Sequence, residues 1–119
     1  MRIGYMGSPE ISATVLSALA REHEIACVIS NPDKPRGRSG ELQPTAVSAL
    51  ALSHGWPLHR PVTLKDGSME SVLEACDLDL FFVFAYGRIL PPSIFERPRH
   101  GSVNLHASIL PEFRGASPI

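Results

Sequence analysis

The residues best placed to do chemistry stand in the last apolar segment of the chain, Ser102–His106, where one residue separates Asn104 from His106. Alternate side chains of a strand share a face, so an extended reading sets the carboxamide and the imidazole side by side and turns Leu105 away. An amide donor beside an imidazole suits a carbonyl oxygen that becomes negative during acyl transfer. The same spacing also fits a hydrogen-bonded structural Asn and a satisfied strand His, and spacing alone leaves both readings open.

A second cluster is Asp33-Lys34-Pro35-Arg36-Gly37-Arg38. Three cations on a loop carrying proline and glycine suit phosphates, the salt-dependent part of nucleic-acid binding, while a solvated surface loop would show the same charge pattern. The surrounding Asn31–Pro44 has no periodicity, with three prolines and two glycines. Long connections without structure of their own are usually functional or disordered, and a functional loop is the expectation here. A third place is Gly7-Ser8-Pro9, where Ser8 suits a helix cap and Pro9 a first turn. The full GxGxxG fingerprint is absent, so a structural turn is expected. Cys27 and Cys76 lack CxxC spacing and read as buried free thiols in a reducing compartment, with no metal site.

The elements that must position these residues follow from composition and period. With 119 residues, 44% hydrophobic and 19% charged, the chain is an ordinary globular polypeptide with room for one domain. Eleven basic against 12 acidic side chains give a net charge of −1. That balance excludes nucleic-acid binding through overall charge, so any basic site must be a local segment. No apolar run approaches the ~20 residues of a membrane span, and the N-terminus lacks a basic stretch followed by a long apolar core, so a cytoplasmic location is expected.

Arg2–Met6 reads as a strand. Glu10–Arg21 reads as a helix whose stripe of Ile11, Val15, Leu16 and Leu19 lies on the sheet. Glu24–Ser30 is unbroken and β-branched, as in a strand covered on both faces. Thr45–His54 predicts a helix stopped by Gly55, followed by a brief strand in Trp56–Arg60. A helix around Ser68–Ala75 precedes Leu78–Ala85, the most apolar segment and the expected centre of the sheet. Pro91 and Pro92 open a helical turn through Phe95, Ser102–His106 is the last strand, and Ala107–Ile119 reads as loop. Strands alternating with helices, without a hairpin signal, predict an α/β fold with a parallel sheet and helices on both faces.

Read together, Met6-Gly7-Ser8-Pro9-Glu10, the run from Asn31 to Arg38, Ala85-Tyr86-Gly87-Arg88-Ile89-Leu90-Pro91 and the run from Asn104 to Ile119 resemble, in the same order, the amino-terminal part of the methionyl-tRNA formyltransferase family. The resemblance spans the whole chain and implies a Rossmann-like three-layer formyltransferase fold. It implies transfer of a formyl group from 10-formyltetrahydrofolate, a co-substrate, to the methionyl amino group of initiator tRNA. It makes Asn104 and His106 catalytic: Asn104 donates to the formyl oxygen, and His106 donates to it or moves a proton. It assigns Tyr86, Gly87, Arg88, Ile89 and Leu90, with Ser108, Ile109, Leu110 and Pro111, to the folate site. Lys34, Arg36 and Arg38 fall in the loop that meets the acceptor end of the tRNA in this family, Arg38 at the position of its important arginine. Ser39 and Glu41 stand where family loops often continue with glycine and lysines, which implies a weaker grip on RNA.

The family also implies a catalytic aspartate well downstream of the His and a carboxyl-terminal β-barrel, neither of which residues 1–119 supply, so these residues alone are expected to have little activity. Their last strand is expected to be an edge that leaves them marginally stable. The completed enzyme is expected to be a monomer without metal. Two other readings are a formyltransferase acting on a sugar amine, or another folate-linked formyl enzyme, and a non-catalytic RNA- or nucleotide-binding remnant. The arginine-bearing loop favours the tRNA substrate over the sugar.

Overall fold

The computed structural model describes residues 1–36 and 40–105, the side chain of Arg36 excepted. Strand β1 (Arg2–Met6) leads into helix α1 (Glu10–Leu19) and strand β2 (Glu24–Ile29). Strands β3 (Lys34–Arg36) and β4 (Glu41–Gln43) precede helix α2 (Ala46–His54) and strand β5 (Leu58–His59). Helix α3 (Ser68–Cys76), strand β6 (Leu80–Phe84), the short helix α4 (Pro92–Phe95) and strand β7 (Ser102–Leu105) complete the order. The main sheet has five strands in the order β5-β2-β1-β6-β7, every pairing parallel. The strand in Leu78–Ala85 is therefore beside the centre, and β1 occupies the centre itself. Apolar content reports that both faces are covered, as they are for β6, and does not report lateral position.

Each face carries its own core. Tyr5, Val28 and Phe84 pack with Leu16 of α1 and with Val47 and Ala51 of α2. Met6, Cys27, Ile29, Phe81 and Val83 pack on the other face with Met69 and Leu73 of α3 and Ile94 of α4. The three-layer expectation holds. Period-2 alternation breaks once, where the register between β1 and β2 slips from Ile3↔Ile25 to Gly4↔Cys27. The slip lets Ala26 and Cys27 both join one core while Val28 returns to the other. Cys27 and Cys76 are free thiols, the first buried and the second half-buried. Burial, then the neighbouring Cys76, pushes the Cys27 thiol well above its ordinary pKa, as expected of an inert core cysteine.

Two helix expectations need correction. The stripe of α1 is rotated: Ile11 is 55% exposed, and the fully buried positions are Ser12 and Leu16. A serine displaces an isoleucine because its hydroxyl satisfies the polar groups Phe84 O and Tyr5 Oη beneath it. Ser8 does not cap α1; Pro9 is the N-cap residue, without a side-chain cap bond. Thr45 caps α2 instead, its Oγ1 accepting from Ser48 N at 3.0 Å, and Gly55 ends that helix at φ 72°.

A hairpin occurs where none was expected. Strands β3 and β4 pair antiparallel, Lys34 opposite Gln43 and Arg36 opposite Glu41. Each strand has three residues and Leu42 stays 64% exposed, so no buried face imprints an alternating pattern on the sequence.

Candidate active site

In an open parallel sheet, ligands gather outside the carboxyl ends of the strands where the order reverses. Here β2 lies on one side of β1 and β6 on the other, so the crevice opens beyond β1 and β6. Gly7, which follows β1, has no room for a side chain. A Cβ there would collide with Ser12 Oγ and come within 2.5 Å of Phe84 O. Its N–H donates to Ile29 O at 3.1 Å and the next N–H, of Ser8, donates to Ala85 O at 3.2 Å, drawing the ends of β1, β2 and β6 together.

Beyond β6 the chain turns sharply, with Ala85 at φ 58° and Gly87 at φ 85°. A non-glycine residue held in the left-handed region costs about 1–3 kcal/mol and persists where its surroundings impose it. The turn wraps a cavity of about 860 Å³ lined by the residues from Val83 to Leu90, by Phe95 of α4, and by Ser102, Asn104 and Leu105 of β7. That volume falls in the range of small-molecule sites, roughly 300–1,000 Å³. Asn104 pairs with Val83 across β6 and β7 and is exposed on the cavity wall with Ser102; Leu105, which strict alternation would turn away, lines the same cavity at the end of the strand. Ser102 Oγ donates to Phe95 O, which ties α4 to the same wall.

All five residues of the Tyr86–Leu90 expectation line this cavity. Ile89 is 94% exposed at its rim, an apolar side chain without cover among the described residues. The Tyr86 ring is buried, and its hydroxyl has no hydrogen-bond partner among the described residues. Burial raises the phenol pKa, while nearby Arg88 partly offsets it. The Arg88 guanidinium carbon lies 5.2 Å from the Tyr86 ring centroid. Its nitrogens are already engaged: Nε donates to Asn31 Oδ1 at 2.8 Å, Nη2 to Pro61 O at 2.7 Å and Nη1 to Val62 O at 3.2 Å.

A second cavity of about 550 Å³ shares Tyr86, Gly87 and Arg88 with the first and is otherwise lined by Asn31, Pro32, Asp33, Lys34 and Val62. It places Lys34, the first cation of the charged cluster, on the far side of the Tyr86–Arg88 partition. Asp33 is neutralised by Arg60 Nη1 at 3.0 Å, so it does not cancel Lys34. Arg36 is in β3, opposite Glu41. His106, Arg38 and Ser108–Pro111 lie outside the described residues.

Asn31 lines the smaller cavity and is hydrogen-bonded to Ser8, and residue spacing assigns neither a role there. Asn31 is two residues beyond β2 and Ser8 two beyond β1; position at a strand's carboxyl end is the signal that marks them. Among the described residues no group of His, Cys, Asp and Glu suits a metal ion, and no helix is long and apolar enough to cross a membrane.

The chain is 48% identical over 120 residues to a methionyl-tRNA formyltransferase from Caulobacter sp. (strain K31), 46% to one from Caulobacter vibrioides and 42% to one from Alkaliphilus metalliredigens. Each comparison covers all of this chain and 38–39% of the relative. Among solved structures, phosphoribosylglycinamide formyltransferase from Anaplasma phagocytophilum superposes with a TM-score of 0.65 at 26% identity, covering 97% of this chain and 53% of that one. Glycinamide ribonucleotide transformylase 1 from Symbiobacterium toebii gives the same score and identity, with 97% and 55% covered. The formyl transferase family model matches residues 1–119, and with a cavity at the switch point of a parallel sheet and an asparagine on its wall, the chain belongs to the formyl transferase family.

Proposed function

We propose that this chain supplies the formyl-donor cleft of a methionyl-tRNA formyltransferase, forming the first part of its catalytic domain. The observation that carries the reading is the position of Asn104 on the wall of the cavity lined by Tyr86–Leu90. The donor, 10-formyltetrahydrofolate, places its ring system against the main chain of Tyr86–Leu90, with Ser108, Ile109, Leu110 and Pro111 completing the site. The methionyl amine attacks the formyl carbon, a carbon–nitrogen bond forms, and the formyl oxygen gains negative charge. Asn104 donates its amide hydrogen to that oxygen. His106 takes a proton from the attacking amine and returns one to the folate nitrogen as the old carbon–nitrogen bond breaks. Lys34, Arg36 and Arg38 hold phosphates at the acceptor end of the tRNA, which places the reaction in the cytoplasm with translation initiation.

The choice of acceptor is supported by the names of relatives 42–48% identical to the chain, against 26% for the two glycinamide ribonucleotide enzymes. The test is to assay the full-length gene product with methionyl initiator tRNA, glycinamide ribonucleotide and amino sugars in parallel. Formylation of the tRNA alone is expected. Turnover confined to either small amine would replace this reading.

A further inference from the structure

Asn31 uses its whole carboxamide to tie strand ends together. Nδ2 donates to Ser8 Oγ at 2.8 Å and to Tyr86 O at 2.7 Å, and Oδ1 accepts from Arg88 Nε at 2.8 Å. Its own main-chain N–H adds a second bond to Ser8 Oγ at 3.2 Å. Arg88 then extends the network to Pro61 O and Val62 O, beyond β5. One side chain thus joins the connections that follow β1, β2, β5 and β6. Only a primary amide offers two donors and an acceptor at this reach; aspartate offers acceptors alone, and serine a single donor.

The bonds to Tyr86 O and to the Arg88 side chain hold two residues that line the larger cavity. Three residues further along from Asn31, Lys34 opens the exposed hairpin and lines the smaller cavity. Only Pro32 and Asp33 separate the pinned amide from the start of the hairpin, and both line the smaller cavity. We infer that Asn31 is a positioning residue that couples the donor cavity to the hairpin, so that filling either one changes affinity at the other. The inference rests on the reading of the larger cavity as the donor site.

The experiment uses the intact protein, with tetrahydrofolate and deacylated initiator tRNA as unreactive probes. In the unaltered protein, tRNA is expected to change the Kd for tetrahydrofolate at least about fivefold, and tetrahydrofolate to change that for tRNA by the same factor, since binding linkage is reciprocal. Asn31→Asp keeps the acceptor for Arg88 but removes both amide donations. It should weaken tetrahydrofolate about tenfold and bring the coupling factor close to one, with Asn31→Gln restoring part of it. Hydrogen exchange on the unaltered protein gives a readout that needs no variant: tRNA should protect amides of residues 86–90, and tetrahydrofolate those of Lys34, Arg36 and residues 40–43. Normal coupling in Asn31→Asp, or no cross-protection in the unaltered protein, overturns the inference and leaves the donor site standing. Failure of tetrahydrofolate to bind the unaltered protein removes the donor-site reading, and the inference with it.

Discussion

The hydroxyl of Ser12 donates to the carbonyl oxygen of Phe84 at 2.8 Å, joining the first turn of α1 to the last residue of β6 directly under the site. Tyr5 Oη lies 2.8 Å from the same hydroxyl and 2.8 Å from Ser12 O, so three elements meet in one buried polar knot. Gly7 makes the knot possible by leaving the space that a Cβ would take from Ser12. Ser12→Ala removes the donor and leaves Phe84 O short of a partner in a dry setting, which costs about 1–3 kcal/mol. Denaturant unfolding measures it, and a loss under about 0.5 kcal/mol, the scatter typical of surface changes, would show that the knot adds nothing.

Tyr86 makes the opposite case. Its hydroxyl is buried without a partner among the described residues, so it bears the cost of leaving water and gains no bond. Tyr86→Phe keeps the ring and its contact with Arg88, and it is expected to raise stability by up to about 1 kcal/mol. A thermal melt tests this, and a fall in Tm would mean that the hydroxyl is bonded in the folded protein.

The contrast between Ser12 and Ile11 shows how far a sequence can be read. The alternation of β1, α1, β2, α2, α3 and β6 follows from apolar runs and three- and four-residue spacings, because burial on a two-faced sheet demands them. The rotation of α1 does not follow, since Ser12 is buried for its hydrogen bonds and hydropathy counts only its polarity. The hairpin of β3 and β4 is invisible for the converse reason: its described side chains are exposed, so no apolar pattern marks it, and Pro35, which has no N–H to donate, argues against a strand in the sequence while its carbonyl can still accept. At the site, motif resemblance singles out Tyr86–Leu90 and Asn104, which the fold brings to one cavity. Asn31 lies inside a quoted motif, yet its role comes from partners 23 to 57 positions away, which neither spacing nor composition encodes.

Burial holds the His59 imidazole below its ordinary pKa of 6.5. The unfolded chain therefore takes up this proton more readily than the folded one as the pH drops. The His59 contribution is complete above pH 6.5 and is lost as the pH falls from there through the lowered folded value. Asp66 and Asp79 are held below 3.8, chiefly by hydrogen bonds from Ser68 and from the main-chain N–H of Arg2, so their losses come at still lower pH. Unfolding free energy measured between pH 8 and about 5 should decline, and His59→Gln should flatten that decline. A flat profile in the unaltered protein would remove the assignment.

Asn104 provides the most direct test of the chemistry. Asn104 is an exposed strand residue that lines the cavity and is paired through the main chain to Val83, and among the described residues its side chain has no hydrogen bond of the kind that engages Ser12 and Asn31. Removing one preorganised donor to a developing oxyanion costs about 10²–10³ in kcat. Asn104→Ala in the intact enzyme is therefore expected to lower kcat by that factor, leaving the KM for the formyl donor within about threefold, because the ground-state carbonyl makes a weaker demand on the donor than the tetrahedral oxygen does. Asn104→Asp should be no better than alanine, since a carboxylate offers only acceptors to an oxygen gaining negative charge. A raised KM for the donor with kcat unchanged would make Asn104 a binding group, and both constants unchanged would take it out of the reaction.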